Sequence, residues 1–158
     1  MMKKIAQMCA AGAALVMVGG FDQPLDEYLV GTWECQMIKD GNTYPVYGRY
    51  NADGTSLATA ALVMSAQGPE GPVQIEISIE GDGTWAVDGN KVIETGTDLR
   101  VLSFSVNGQK AEVTPEMEAA ARAELNKEFI SQYDVVNENE FKATALSEGA
   151  SDGVCTRI

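Results

Sequence analysis

Val73-Gln74-Ile75-Glu76-Ile77-Ser78-Ile79-Glu80 alternates apolar and polar residues without a break. A β-strand points successive side chains to opposite faces, so this stretch reads as a strand with one buried and one wet face. The same two-residue period recurs along the chain. Trp33, Cys35 and Met37 alternate with Glu34, Gln36 and Ile38. Leu102, Phe104 and Val106 share a face opposite Val101, Ser103 and Ser105, and Phe141, Ala143 and Ala145 lie opposite Lys142 and Thr144. Asp40-Gly41, Asp53-Gly54, Asp82-Gly83, Asp88-Gly89, Asn107-Gly108 and Asp152-Gly153 punctuate these runs. Such pairs accept positive φ and favour tight turns. The pattern predicts a mainly β fold of about nine strands and one helix. So many antiparallel strands favour a closed barrel, because closure removes the exposed sheet edges.

The segment 114–132 departs from the two-residue period. Thr114 suits an N-cap, Pro115 the first helical position, and Glu116 and Glu118 the positive end of a helix dipole. Met117, Ala120, Ala121, Leu125, Phe129 and Ile130 form one apolar stripe, with Glu118 and Arg122 paired on the surface. The spacing predicts a helix over 114–132 that packs on the sheet or across a barrel end. The alternative is a helix that binds a partner.

The first 20 residues read as a signal peptide. Lys3 and Lys4 form a short positive region, Ile5 to Val18 is apolar apart from Gln7, and Val18 and Gly20 set small residues before a cut at Phe21. A retained anchor is the alternative. Cys9 stands within the apolar stretch, after Met8, and reads as a discarded residue rather than a lipidation site. Cleavage leaves residues 21–158, a single 138-residue domain with 9 basic and 23 acidic residues and a net charge of −14. That charge disfavours nucleic acid and anionic membranes. It serves solubility, or fits a basic protein partner. The expected address is periplasmic or secreted, with no stable membrane anchor after cleavage.

Cys35 and Cys155 remain after the cut. An even pair in an exported chain predicts a disulfide, here joining the first and last strands; two buried thiols are the alternative.

Gly31-Thr32-Trp33 at the opening of the first strand resembles the start of lipocalins and the wider calycins. Asp53-Gly54-Thr55 and Gly83-Thr84-Trp85 extend the likeness to bacterial exported lipocalin-like domains. The chain is also similar to small periplasmic barrel inhibitors of secreted hydrolases, which share a Gly-x-Trp strand and one disulfide. The resemblance implies an antiparallel lipocalin-like barrel of about 8–9 strands, with Trp33 packed at its closed end. It also implies a basic residue from the last strand lying across that indole. Opposed residues of an antiparallel pair have a constant sum of numbers, so setting Cys35 opposite Cys155 sets Trp33 opposite Arg157. The predicted helix precedes the last strands, whereas the main lipocalin helix follows the barrel.

The chain contains no histidine, which removes His-based triads, His general bases and almost all catalytic zinc or haem sites. No nucleophile elbow or phosphate-binding loop is present. Glu76 and Glu80 lie about 13 Å apart along one strand, too far for a glycosidase pair, and read as a solvated face. A calcium loop starting at Asp82 would need a glutamate where Ile93 stands, so the Asp-Gly sites read as turns. Trp33 and Trp85 read as core aromatics. Tyr44 and Tyr50 share a face opposite Tyr47, either in the core or as an exposed interaction patch, and Pro45 suggests an edge or strand start.

No catalytic residue, metal ligand or cofactor is predicted. The expected function is non-enzymatic: binding a small apolar ligand inside the barrel. The alternatives are a protein–protein module, such as a periplasmic hydrolase inhibitor, and a structural envelope role.

Overall fold

The computed structural model describes residues 22–39, 41–123 and 125–158; the predicted signal segment 1–20, its cut before Phe21, Cys9 and the turn residue Asp40 lie outside them. The alternating runs fold as β1 (Gly31–Lys39), β2 (Asn42–Tyr50), β3 (Thr55–Gly68), β4 (Gly71–Asp88) and β5 (Lys91–Val106). Then follow β6 (Gln109–Ala111), β7 (Glu128–Asn137), β8 (Glu140–Ala145) and β9 (Asp152–Arg157). Among the described residues two short helices, α1 (Leu25–Leu29) and α2 (Pro115–Arg122), accompany them.

The strand order is β4-β3-β2-β1-β9-β8-β7-β5-β6, and β4 also pairs with β5. That extra pairing closes eight antiparallel strands into a barrel-like ring, with β6 added to the side of β5. The β3–β4 hairpin and the second half of β5 continue past β7, which pairs only with Lys91–Thr95 of β5. Val63, Met64 and Leu102 on this extension are exposed.

The first and last strands lie side by side in the expected register. Trp33 opposes Arg157 and Cys35 opposes Cys155. The two sulfurs are bonded, closing a sequence separation of 120. Pro45 opposes Gln36 on β1, while pairing of β2 with β3 begins only at Val46. The proline therefore sits within β2 where that strand is still an edge on the β3 side, so its missing N–H leaves no gap in the β2–β3 ladder.

One end of the ring is filled. Tyr28 and Leu29 of α1 are buried with Trp33, Val92, Tyr133 and Phe141. Trp33 meets Phe141 edge-on at 4.8 Å between centroids, and Phe141 stacks on Tyr133 at 4.6 Å. Burying each such side chain contributes roughly 1.5–3 kcal/mol relative to exposure. The Trp33 indole N–H donates to the Leu29 carbonyl at 2.8 Å, so the ring is satisfied as well as packed. Gly31 admits this arrangement. Its φ is +140°, and a Cβ there would fall 2.5 Å from Arg157 Nη1.

The predicted helix over 114–132 is corrected to Pro115–Arg122. Its start is as expected: Thr114 Oγ1 accepts from the Met117 N–H at 3.3 Å. Its end comes early because Asn126 turns left-handed, at φ +62°, and donates its N–H to the Gly96 carbonyl. Phe129 and Ile130 then enter β7, opposite Glu94 and Ile93 of β5. A strand here fills the gap between β5 and β8, and that pairing outweighs the stripe. A second correction concerns β5. The register slips between Ser78 and Ile79, so Ile79 opposes Val101 and Leu102 bulges outward, 53% exposed. The helix α1 is an addition that the two-residue period did not signal.

Candidate functional site

The other end of the barrel-like ring holds a cavity of about 350 Å³. Its origin lies in two cross-strand rows of small residues. Gly48 of β2 opposes Ala58 of β3, which opposes Gly81 of β4. In the next row Ser56 opposes Gly83, which opposes Gly96 of β5. These positions line the cavity, and a Cβ placed on Gly48 would meet nothing within 4 Å. One half of the wall therefore lacks the side chains that would fill an eight-stranded ring. The rest of the lining is bulky, with Trp33, Met37, Tyr44, Phe129 and Tyr133. The Cys35–Cys155 disulfide forms part of the same wall. Leu125, in the turn after α2, closes on Gly96.

A cluster of three polar side chains from three strands faces this space. The Tyr50 hydroxyl donates to Glu94 Oε1 at 2.8 Å and lies 2.9 Å from the Tyr133 hydroxyl. Tyr133 in turn reaches Glu94 Oε2 at 3.4 Å. Burial raises the pKa of Glu94, and the two phenol hydrogen bonds oppose that rise without cancelling it. Burial and the neighbouring carboxylate push both phenols well above their ordinary range. Trp85 supports the cluster from behind, edge-on to Tyr50 at 5.2 Å. Its indole N–H is held by the carbonyls of Asn51 and Thr55.

The tyrosines of β2 divide as the alternation predicts, and no three-tyrosine surface patch forms. Tyr44 and Tyr50 line the cavity, Tyr44 bonded to Ser151 Oγ at 2.8 Å. Tyr47 is exposed and donates to Glu34. Arg157 lies over Trp33, its guanidinium carbon 4.2 Å from the indole centroid, at the filled end rather than in the cavity. Glu80 pairs with Arg100 at 2.8 Å and Glu76 accepts from Gln74, both outside the ring. Asp53 Oδ1 accepts from the N–H and hydroxyl of Thr55, which is turn chemistry. The turns expected at Asp82-Gly83 and Asp152-Gly153 are corrected: the first is a register shift inside β4, and the second opens β9, where Asp152 Oδ1 accepts from the Ala145 N–H.

Glu94 and Tyr133 were not singled out by the sequence. Glu94 stands in phase with buried Val92, a detectable signal of an inward carboxylate. Tyr133 was hidden by extending the helix through Phe129, although Phe129, Ser131 and Tyr133 share one strand phase and Tyr133 is flanked by polar Gln132 and Asp134.

The fold and site together define a closed, mainly β structure around an apolar cavity with one acidic cluster in its wall. The disulfide suits an extracellular or periplasmic setting. No protein-family model matches the chain, and no curated protein matches it significantly.

Proposed function

We propose that this is a non-enzymatic exported protein that holds a small apolar molecule inside its barrel. The cavity carries the reading. Its size, about 350 Å³, falls in the range of small-molecule sites, and it is walled by aromatic and aliphatic side chains with a few convergent polar groups. Such space inside a small ring forgoes packing contacts that bulkier residues at Gly48 and Gly81 would supply. A functional need for the space accounts for that loss. The Trp33–Arg157 stack beside the first strand supports a likeness to exported lipocalin-like domains. The signal-like N-terminus and the Cys35–Cys155 bond support a periplasmic or secreted address.

The test is native mass spectrometry of the purified protein, together with Trp fluorescence titration by a panel of alkyl compounds. Trp33 lines the cavity, so an occupant should change its emission. A protein that carries no co-purified small molecule, and whose emission no apolar compound alters, would refute the reading.

A further inference from the structure

Resting on that binding reading, we propose that the ligand is a cationic amphiphile whose protonated amine is held by Glu94, with its apolar body against the glycine-rich wall. Glu94 faces the cavity and has no ion pair among the described residues. Its partners are two phenols that also bond each other, so between them they supply at most two protons. A carboxylate has about four acceptor positions, so acceptor capacity remains toward the cavity. The other acids along this wall are already matched. Asp82 pairs with Arg100 at 3.2 Å and Asp98 with Arg122 at 3.7 Å. Arg49, the basic residue of the wall, is exposed and out of phase with inward Gly48 and Tyr50.

The rings around Glu94 favour the same chemistry. Tyr50 and Tyr133 touch Glu94, Phe129 opposes it on β7, and aromatic faces attract ammonium groups within about 6 Å of the ring centroid. A carboxylate among aromatic rings is complementary to a cation on an apolar stem. The same arrangement repels a fatty acid, whose carboxylate would lie beside Glu94 in a medium of low polarity.

Titration with octylamine, octanol and octanoate at neutral pH, read by Trp fluorescence, tests the assignment. Octylamine should bind about tenfold or more tighter than octanol, and octanoate weakest. Glu94→Gln should remove about tenfold of the amine's affinity while changing that of octanol by less than about threefold. Unchanged octanol binding also shows that the variant has folded around its cavity; if it does not fold, the order of the three probes on the native protein decides. Octanoate or octanol binding as tightly as octylamine would overturn the cationic assignment and leave the apolar binding function standing. Failure of all three to bind overturns both.

Discussion

Arg157 and Trp33 face each other across the seam that joins the last strand to the first. The guanidinium carbon sits 4.2 Å from the indole centroid. The same guanidinium donates to the Val30 carbonyl at 2.9 Å and to the carbonyl of Tyr28. It thus ties α1, β1 and β9 together at the filled end. Arg157→Lys keeps the charge but loses the planar fork. A loss of about 2–3 kcal/mol is expected, from a weakened stack and one charged hydrogen bond. Urea unfolding of variant and native protein would measure it; a midpoint unchanged by Arg157→Lys would show that the fork contributes nothing.

The disulfide two residues further along the seam constrains the unfolded chain. Its loop of 120 residues is expected to contribute about 4–5 kcal/mol in the chain-entropy model. Replacing both cysteines with serine should lower stability by that order, with the seam strands most affected. Hydrogen exchange of β1 and β9 amides against those of β4 would report the difference.

Gly48 separates space for a ligand from space needed by the fold. Its φ is not in the left-handed region, and a Cβ would meet nothing within 4 Å. Gly48→Leu should therefore fold, with stability equal or raised by about 1 kcal/mol from new packing. Ligand binding should fall by about tenfold or more, since the added side chain takes up cavity volume. Calorimetry with the native protein's ligand would read both, and full binding by a folded Gly48→Leu would mean that the ligand sits elsewhere.

Glu94 gives stability a pH dependence of known sign. Burial raises its pKa, so the folded form keeps its proton to higher pH than the unfolded chain does. Folding takes up a proton between the ordinary glutamate value and the raised one. This contribution is complete below that window and is lost as pH rises through it. Glu94→Gln cannot ionise, so the stability of the native protein relative to this variant should fall as pH rises from the ordinary glutamate range through the raised value. Urea midpoints of both proteins across that range test it. A constant difference would mean that the carboxyl titrates alike in folded and unfolded chains.

Much of the strand framework was legible because it follows from a local rule. Side chains alternate along a strand, so Val73–Glu80 reveals its buried face without knowledge of its neighbours. The seam could also be read, because one assumed bond between Cys35 and Cys155 carries the whole register with it. The rule failed where neighbours decided the outcome. Phe129 and Ile130 fit a helical stripe, but β5 and β8 each had an edge to fill, and a strand filled both. Leu102 has the right phase for the core, but a bulge opposite Ser78 and Ile79 turned it to solvent.

By itself, then, the sequence determined that the chain would make alternating strands, where several of them would turn and how its first and last strands would meet, since each of these depends on near neighbours or on one cross-link. Asp82-Gly83 and Asp152-Gly153 read as turns but run inside β4 and β9, because strand pairing there outweighed the local preference. Only the tertiary structure decided that the ring encloses a cavity and that a carboxylate and two phenols face it. Gly48, Ala58 and Gly81 are far apart along the chain and become one empty row only when three strands pair. Tyr50, Glu94 and Tyr133 converge for the same reason, because curvature of a closed sheet brings inward positions of non-adjacent strands within hydrogen-bond reach.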